Sequence, residues 1–295
     1  MTGAATRLAP AKVNLYLHVG PPGADGYHPL ASLVVFADVG DRLSLEPAQA
    51  FAFAVTGPFA PALADDCDNL VVRAVGALSE QAGSAIPAIR LTLDKQLPVA
   101  AGLGGGSSDA AAALRLVRDD AFPTIGDDAL RGILADIGAD GPMCLAAAPL
   151  TALGRGDALS PAPHLPELHA VLVNPGVAAP TGAIYAAYDR AGRFGGAGKG
   201  DLRTAYGSTA ELAADLADCR NDLQAPAVAA AAEIGEALAW LDAHRDCLLA
   251  RMSGSGATVF ALCAGPGAVA RLAQSVSDTH PEWWVRPCRL GGPWA

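Results

Sequence analysis

Residues 97–114 read LPVAAGLGGGSSDAAAAL, a glycine-rich stretch that runs into an alanine-rich segment. Four of the five residues from Gly102 to Gly106 are glycines, which pack no core and lose much backbone entropy when they are ordered. The pattern predicts a helix over residues 108–117. A loop of this kind exposes backbone N–H groups at the positive end of the helix dipole, where an anion is stabilised. The stretch therefore predicts a phosphate-binding loop; the alternative is a tight turn whose serines cap the helix.

The glycine loop, residues 98–107, differs from two common phosphate-binding motifs. It lacks the Gly-Lys-Ser/Thr ending of a P-loop. Ser107 also stands where a dinucleotide-binding fingerprint has its third glycine or alanine. Neither of those two classes is therefore predicted.

The composition limits the classes of partner. With 295 residues the chain is long enough for one large or two ordinary domains. Thirty acidic and twenty basic residues give a net charge of −10, which argues against a nucleic-acid-binding surface. An anionic ligand must then be held by local donors against the overall field of the protein.

The cysteines and the apolar segments predict a cytoplasmic protein. The six cysteines are scattered and predict reduced thiols in place of a disulfide framework or a zinc site. No signal peptide is expected from the first residues. The uncharged segment 47–64 contains three prolines and predicts a buried strand and loop, so no membrane partner is expected. The oligomeric state cannot be deduced from the sequence.

Periodicity along the chain predicts a mixed helix and strand protein in two halves that join near residues 150–165. Strands are predicted over residues 13–19, 31–36, 42–45, 89–93, 169–173 and 258–263. Helices are predicted from Leu70, over 108–117 and 129–137, from Thr181, and over 209–218 and 227–243. A mobile loop is predicted over residues 191–200, which contain five glycines.

The stretch 97–114 resembles the phosphate-binding motif of the GHMP kinases, the superfamily of galactokinase, homoserine kinase and mevalonate kinase. Six further segments, which with it span nearly the whole chain, resemble the branch that acts on 4-diphosphocytidyl-2-C-methyl-D-erythritol. They are PAKVNLYLHV (10–19), DGYHPLASLVVF (25–36), GADGPM (138–143), NPGVAAPTGAIY (174–185), NDLQAPA (221–227) and MSGSGATVFAL (252–262).

This resemblance implies an α+β, two-domain GHMP kinase fold. The implied domains are an N-terminal domain like ribosomal protein S5 domain 2 (residues 1–152) and a C-terminal ferredoxin-like domain (residues 153–295), with the active site between them. The implied reaction transfers the ATP γ-phosphoryl group to the 2-hydroxyl of the cytidyl substrate, a step of the non-mevalonate isoprenoid pathway. Mg²⁺ is expected with ATP because phosphoryl transfer generally needs neutralisation of the β- and γ-phosphate oxygens. The metal ligands are left open, with the Ser108 hydroxyl suggested by proximity alone.

The resemblance implies that Asp140 is the catalytic aspartate and that Lys12 is its partner. A hydroxyl that attacks a phosphoryl group needs an oriented proton acceptor, and a nearby ammonium keeps a carboxylate ionised. From spacing alone, Asp140 could equally be a helix N-cap and Lys12 a solvated charge. Gly141 stands where the family commonly has a branched residue, so we expect a looser turn beside Asp140.

The substrate residues implied by the resemblance surround a cytosine base and an acceptor hydroxyl. Tyr27 and Tyr185 would stack on the two faces of the base, and His28 would read its edge. Asn14, on the same strand face as Lys12, and Thr181 would contact the substrate. Without the resemblance, Tyr27 and His28 would be interpreted as a turn with a half-buried aromatic ring.

The resemblance also assigns a nucleotide side. The implied ATP-binding residues are Asn69, Lys95, Pro98, Gly102, Leu103, Gly104, Gly105, Gly106, Ser107 and Ser108. Gly254, Ser255 and Gly256 match a glycine turn against the phosphate loop, although an ordinary hairpin turn is the alternative. Two other functions remain open: a kinase of the homoserine or mevalonate type, and a catalytically silent nucleotide-binding module.

Overall fold

The structure, a computed structural model, describes residues 5–64 and 68–294, so that Cys67 lies outside the described residues. The strands within these ranges are β1 (Ala5–Val19), β2 (Leu30–Pro47), β3 (Ala52–Thr56), β4 (Ile89–Asp94), β5 (Leu150–Gly154), β6 (Ala158–Pro161), β7 (Leu168–Asn174), β8 (Leu249–Met252), β9 (Val259–Cys263) and β10 (Trp284–Gly291). The helices are α1 (Leu70–Gln81), α2 (Gly105–Ala121), α3 (Asp127–Ile137), α4 (Gly141–Ala146), α5 (Thr181–Ala191), α6 (Thr209–Ala217), α7 (Gln224–Ala230), α8 (Ala232–Asp242) and α9 (Pro266–Thr279), with one 3₁₀ turn (Ala60–Leu63).

Most of the predicted elements are present because their sequence signals are local. Strand β4 alternates between buried residues and exposed or half-buried ones, as its apolar period of two predicts. Helix α1 begins after Asn69, whose side chain accepts a hydrogen bond from the Val71 N–H, as an N-cap does. Helix α2 begins directly at the glycine loop, with Gly104 left-handed at φ +62°.

The strands form one mixed sheet whose principal order is β3-β4-β2-β10-β7-β9-β8. The long β2 pairs with β1, β4, β5 and β10. The C-terminal β10 is antiparallel to β7 and also pairs with β2 through Leu290 and Ala37. This last strand therefore continues the sheet from the N-terminal half into the C-terminal half.

Three expectations about secondary structure are corrected. Residues 31–36 and 42–45 lie in strand as predicted, but they belong to the one strand β2, since no turn interrupts the ladder there. The helix predicted over 227–243 is divided, because Ala231 is extended at φ −146° and ψ 104° between α7 and α8. Segment 47–64 contains β3 and the 3₁₀ turn, but its side chains are partly exposed because β3 lies at the end of the sheet order.

The boundary predicted between residues 152 and 153 falls within β5, which pairs with β2. The division of the chain into these two domains stays a prediction. Apolar side chains pack α1, α2 and α3 against the N-terminal strands, and α8 and α9 against β7 and β9. Helices therefore cover strands in both halves of the sheet.

Two further findings concern the cysteines and the membrane. Cys144, Cys219, Cys247, Cys263 and Cys288 are free thiols. Across residues 5–64 and 68–294, no helix is both long enough and apolar enough to cross a membrane.

Candidate active site

Lys12 and Asp140 form an ion pair at the centre of the site. Their Nζ and Oδ2 atoms lie 3.2 Å apart, and the Lys12 side chain is 6% exposed whereas that of Asp140 is 42% exposed. Asp140 precedes α4, yet among the described residues its side chain caps no helix N–H. The ion pair, and not the N-cap alternative, accounts for the position of this carboxylate.

Hydrogen bonds on β1 and β2 orient the Lys12 ammonium. Its Nζ donates to Asn14 Oδ1 at 2.8 Å, and Asn14 Nδ2 donates to Ser32 Oγ at 2.8 Å. Ser32 in turn donates to the Tyr16 carbonyl oxygen at 2.6 Å. Lys12 and Asn14 therefore share a face of the strand as their spacing predicts, while Ser32 was not singled out from the sequence.

The glycine loop approaches its neighbours so closely that side chains would not fit at two of its positions. Gly102 has φ +73°, and a Cβ there would overlap the Ser253 carbonyl oxygen and lie 2.8 Å from Gly256 N. A Cβ on Gly104 would lie 2.9 Å from Cε of Lys12. These glycines therefore admit the glycine turn (residues 253–257) and Lys12, in addition to exposing backbone N–H groups.

The glycine turn is held against the loop by side chains from several elements. Ser253 Oγ donates to the Gly102 carbonyl oxygen at 3.0 Å. Asn221 Nδ2 donates to the carbonyl oxygens of Met252 and Gly254, at 2.8 Å each. The hydroxyls of Ser255 and Thr181 lie 2.9 Å apart. The turn thus connects the loop to the start of α5.

A cavity of about 400 Å³ lies between the glycine loop, the Lys12–Asp140 pair and α5. It brings together most of the residues predicted from the sequence. They are Lys12, Asn14, Asn69, Lys95, Pro98, Gly102, Leu103, Gly104, Gly105, Gly106, Ser107, Asp140, Thr181, Tyr185, Gly254 and Ser255. Within the described residues, Tyr27, His28, Ser108 and Gly256 lie outside this lining.

The residues predicted to hold a cytosine base are only partly assembled. The His28 and Tyr185 rings have centroids 5.2 Å apart. His28 Nδ1 lies 2.8 Å from the Gly20 carbonyl oxygen, and Nε2 lies 3.2 Å from Asp189 Oδ1. The backbone therefore holds Nδ1, and a base that hydrogen-bonds to Nε2 would do so beside the Asp189 carboxylate. Burial, with a smaller effect of the Asp140 charge, raises the pKa of Tyr185 to about 12, so the phenol stays protonated.

Tyr27 lies further from the cavity than predicted. Its side chain is 59% exposed, and the Arg155 guanidinium lies 4.1 Å from the ring centroid. Arg155 also pairs with Asp25. One face of the Tyr27 ring is therefore covered by a cation in this structure.

The glycine after Asp140 does not loosen its turn as expected. Gly141 is buried, and its N–H donates to the Gly138 carbonyl oxygen at 2.9 Å. A Cβ on Gly141 would overlap the Leu134 carbonyl oxygen and lie 2.8 Å from its carbonyl carbon. The glycine allows α4 to begin directly against the end of α3, which fixes the backbone beside Asp140.

Two residues predicted near the nucleotide have other partners. The Ser108 hydroxyl is buried and donates to the Pro10 carbonyl oxygen at 2.8 Å, and Ser107 lines the cavity whereas Ser108 does not. The Lys95 ammonium lies between the carboxylates of Asp41 and Asp109. Lys95 still lines the cavity, but its charge is engaged by these acids.

Magnesium would fit this site as an ion held mainly by a bound triphosphate. Mg²⁺ keeps several waters and takes one or two carboxylates together with substrate phosphates. Within residues 5–64 and 68–294 there is no group of three or more His, Cys, Asp or Glu side chains that could hold a metal alone. Asp140 and Ser107 line the cavity and can each supply one oxygen ligand.

Comparison with known proteins identifies the class of protein that this fold and site define. The sequence matches the family described as "GHMP kinases N terminal domain" over residues 69–148 and "GHMP kinases C terminal" over residues 202–282. The chain belongs to the GHMP kinase family, with the mixed α+β fold of that family.

Its relatives place it within one branch, the 4-diphosphocytidyl-2-C-methyl-D-erythritol kinases. A protein of Caulobacter vibrioides (strain NA1000 / CB15N) with that name is 55% identical over 283 residues, 96% of this chain and 98% of that protein. A crystal structure of 4-(cytidine 5'-diphospho)-2C-methyl-D-erythritol kinase is 34% identical with a TM-score of 0.78, over 98% of this chain and 100% of the other. Homoserine kinase from Cytophaga hutchinsonii shares the fold. It is 15% identical, with a TM-score of 0.67 over 100% of this chain and 97% of the other.

Proposed function

We propose that the chain transfers the γ-phosphoryl group of ATP to the 2-hydroxyl of 4-diphosphocytidyl-2-C-methyl-D-erythritol. One observation carries the proposal: the Lys12–Asp140 pair lines the same cavity as the glycine loop and the α5 residues Thr181 and Tyr185. In this proposal the loop binds phosphate, Asp140 accepts a proton and Tyr185 offers an aromatic surface. The close relatives named above support the choice of acceptor.

Asp140 acts on the acceptor hydroxyl in this proposal. Its carboxylate is the more exposed partner of the ion pair, so it can accept a hydrogen bond from the attacking hydroxyl and take its proton. The Lys12 ammonium has three N–H donors, and Asn14 and Asp140 occupy two of them. The third can stabilise the charge that develops on the transferred phosphoryl group. Asn14 and Ser32 keep that ammonium in place.

The glycine loop holds the triphosphate. Its backbone N–H groups and the N-terminus of α2 provide donors for phosphate oxygens in a protein whose overall charge is negative. Mg²⁺, when bound with ATP, supplies neutralisation of the β- and γ-phosphate oxygens. We place the reaction in the cytoplasm, a location supported by the free thiols.

The test of this function is an ADP-release assay with Mg-ATP and four acceptors: the cytidyl compound, uncytidylated methylerythritol phosphate, homoserine and mevalonate. We expect turnover with the cytidyl compound alone. Turnover with another acceptor would keep the kinase and overturn the substrate. Binding of ATP without turnover of any acceptor would favour a silent nucleotide-binding module.

A second prediction concerns Tyr185, which in this proposal stacks on the cytosine base of the acceptor. We expect Tyr185→Ala to raise the KM for the cytidyl acceptor by about 5- to 150-fold, because stacking of one base on one aromatic ring is worth about 1–3 kcal/mol. Tyr185→Phe keeps the ring and should stay within about twofold of the parent enzyme, a change below about 0.5 kcal/mol. Initial rates at saturating ATP give the KM for the cytidyl acceptor in both variants. Equal KM values for the two variants would show that the Tyr185 ring does not stack on the base.

A further inference from the structure

A buried ionic cluster lies beneath the glycine loop, formed by Asp41, Lys95 and Asp109. The Lys95 Nζ lies 2.6 Å from Asp41 Oδ2 and 2.7 Å from Asp109 Oδ2. The three side chains are 0%, 4% and 3% exposed in chain order. Charges this deeply buried are costly to desolvate and persist only when they are well paired.

The cluster connects the segments on the two sides of the glycine loop. Asp41, on β2, uses Oδ1 to accept the N–H groups of Gln96 at 2.6 Å and Leu97 at 2.8 Å, which directly precede the loop. Its other oxygen accepts from Lys95, whose ammonium also donates to Asp109 on α2, which follows the loop. One buried carboxylate is therefore linked to both ends of the loop.

The ammonium also lies close to the start of α2. A Cβ on Gly105, the first residue of that helix, would be 3.1 Å from Lys95 Nζ and 3.6 Å from Asp41 Oδ2. Glycine at this position therefore lets the cluster pack directly against the backbone of Gly105, a residue that lines the cavity. A shift of Lys95 would be transmitted to that backbone without an intervening side chain.

The cluster places one ammonium in contact with two carboxyl groups. Burial would lower the pKa of Lys95, but the two carboxylates outweigh burial and raise it, so the ammonium stays charged. Burial and the charge of Asp41 raise the pKa of Asp109, and the Lys95 ammonium opposes this rise. Among the described residues Asp109 Oδ1 has no hydrogen-bond partner, and Asp109 accepts the Lys95 ammonium through Oδ2.

We propose that Asp41, Lys95 and Asp109 form a positioning clamp that fixes the separation of the two ends of the glycine loop. The clamp holds the loop N–H groups in the arrangement that binds the ATP phosphates. This inference rests on the proposed kinase function and gives the three residues a role through the loop backbone.

The test compares Asp109→Ala with Asp109→Asn. Alanine removes the link between Lys95 and α2 but leaves the Lys95–Asp41 pair intact, whereas asparagine keeps an oxygen that can accept from Lys95. We expect Asp109→Ala to raise the KM for ATP by at least about tenfold, which corresponds to about 1.4 kcal/mol. The KM for the cytidyl acceptor should stay within about twofold, and Asp109→Asn should rescue ATP binding to within about threefold.

Asp120→Ala, at an exposed aspartate of the same helix, is the matched control and should leave both KM values unchanged. A folded Asp109→Ala with an unchanged KM for ATP would overturn the clamp. So would an equal rise in both KM values, which indicates general loss of structure. If Asp109→Ala does not fold, the same KM values should be measured for Asp109→Ser. The serine side chain is also too short to reach Lys95. Failure of the proposed function would appear separately, as inactivity of the parent enzyme.

Discussion

We expect Asp140→Asn to reduce kcat by about 10²–10⁴-fold, the range in which a positioned general base contributes. Asparagine has nearly the shape of aspartate and can still accept a hydrogen bond from Lys12, whose Nζ lies 3.2 Å from the Asp140 carboxylate. It has no basic oxygen with which to take the proton of the attacking hydroxyl. The KM for ATP should change by less than about threefold, because the glycine loop and not Asp140 binds the triphosphate in this proposal.

Asp136→Asn is the control for this variant, since Asp136 is an exposed aspartate on the preceding helix α3. Single-turnover and steady-state rates should be measured for both variants with saturating cytidyl acceptor. Retention of kcat by Asp140→Asn would show that the hydroxyl loses its proton without this carboxylate, and Asp140 would lose its assigned role. A large rise in the KM for ATP would instead indicate that Asp140 acts through nucleotide binding.

The parts of the site that could be predicted from the sequence are those built by short segments. Lys12 and Asn14 are two residues apart on one strand, so their shared face follows from strand geometry. The glycine loop and α2 adjoin in sequence, and their arrangement follows from the same local pattern. Asp140 needed the resemblance, because its distance in sequence from Lys12 carries no geometric signal.

The parts that could not be predicted depend on contacts between distant segments. Strand β10 enters the sheet between β2 and β7, and no pattern within residues 284–291 specifies those neighbours. The clamp pairs Asp41 with Lys95 across 54 positions, and an isolated aspartate in a strand is normally interpreted as solvated. Asn221 lay in a segment noted for its resemblance, but its bonds to the glycine turn appear only in three dimensions.

The roles of the glycines could also be predicted only in part. Their number in the loop predicted close approach of the backbone to a phosphate, which is the part of their role that local geometry suggests. The structure adds approaches to Lys12 and to the glycine turn, whose residues lie far away in sequence. Gly141 was expected to loosen a turn, and it instead permits tight packing against Leu134.

We expect Gly102→Ala to lower both activity and stability strongly. Gly102 has φ +73°, a conformation that costs an L-residue about 1–2 kcal/mol. The added Cβ would also overlap the Ser253 carbonyl oxygen, and the backbone there cannot move aside as a flexible side chain could. The glycine loop and the glycine turn must then separate, which disturbs the bonds from Ser253 Oγ to Gly102 O and from Thr258 N to Ala101 O.

Because this contact joins the phosphate site to the turn beside Thr181, we expect kcat/KM for ATP to fall by at least about 100-fold, or about 2.7 kcal/mol. The midpoint of thermal unfolding should fall by several degrees, about 2–4 °C for each kcal/mol in a chain of this size. Gly132→Ala is the matched control: a Cβ at Gly132, within α3, meets no atom within 4 Å, and alanine is favoured over glycine there by about 1 kcal/mol. That control should keep full activity and melt slightly higher. If Gly102→Ala behaved like Gly132→Ala, the loop and the turn would be independent, and the tight contact between them would play no part in ATP binding.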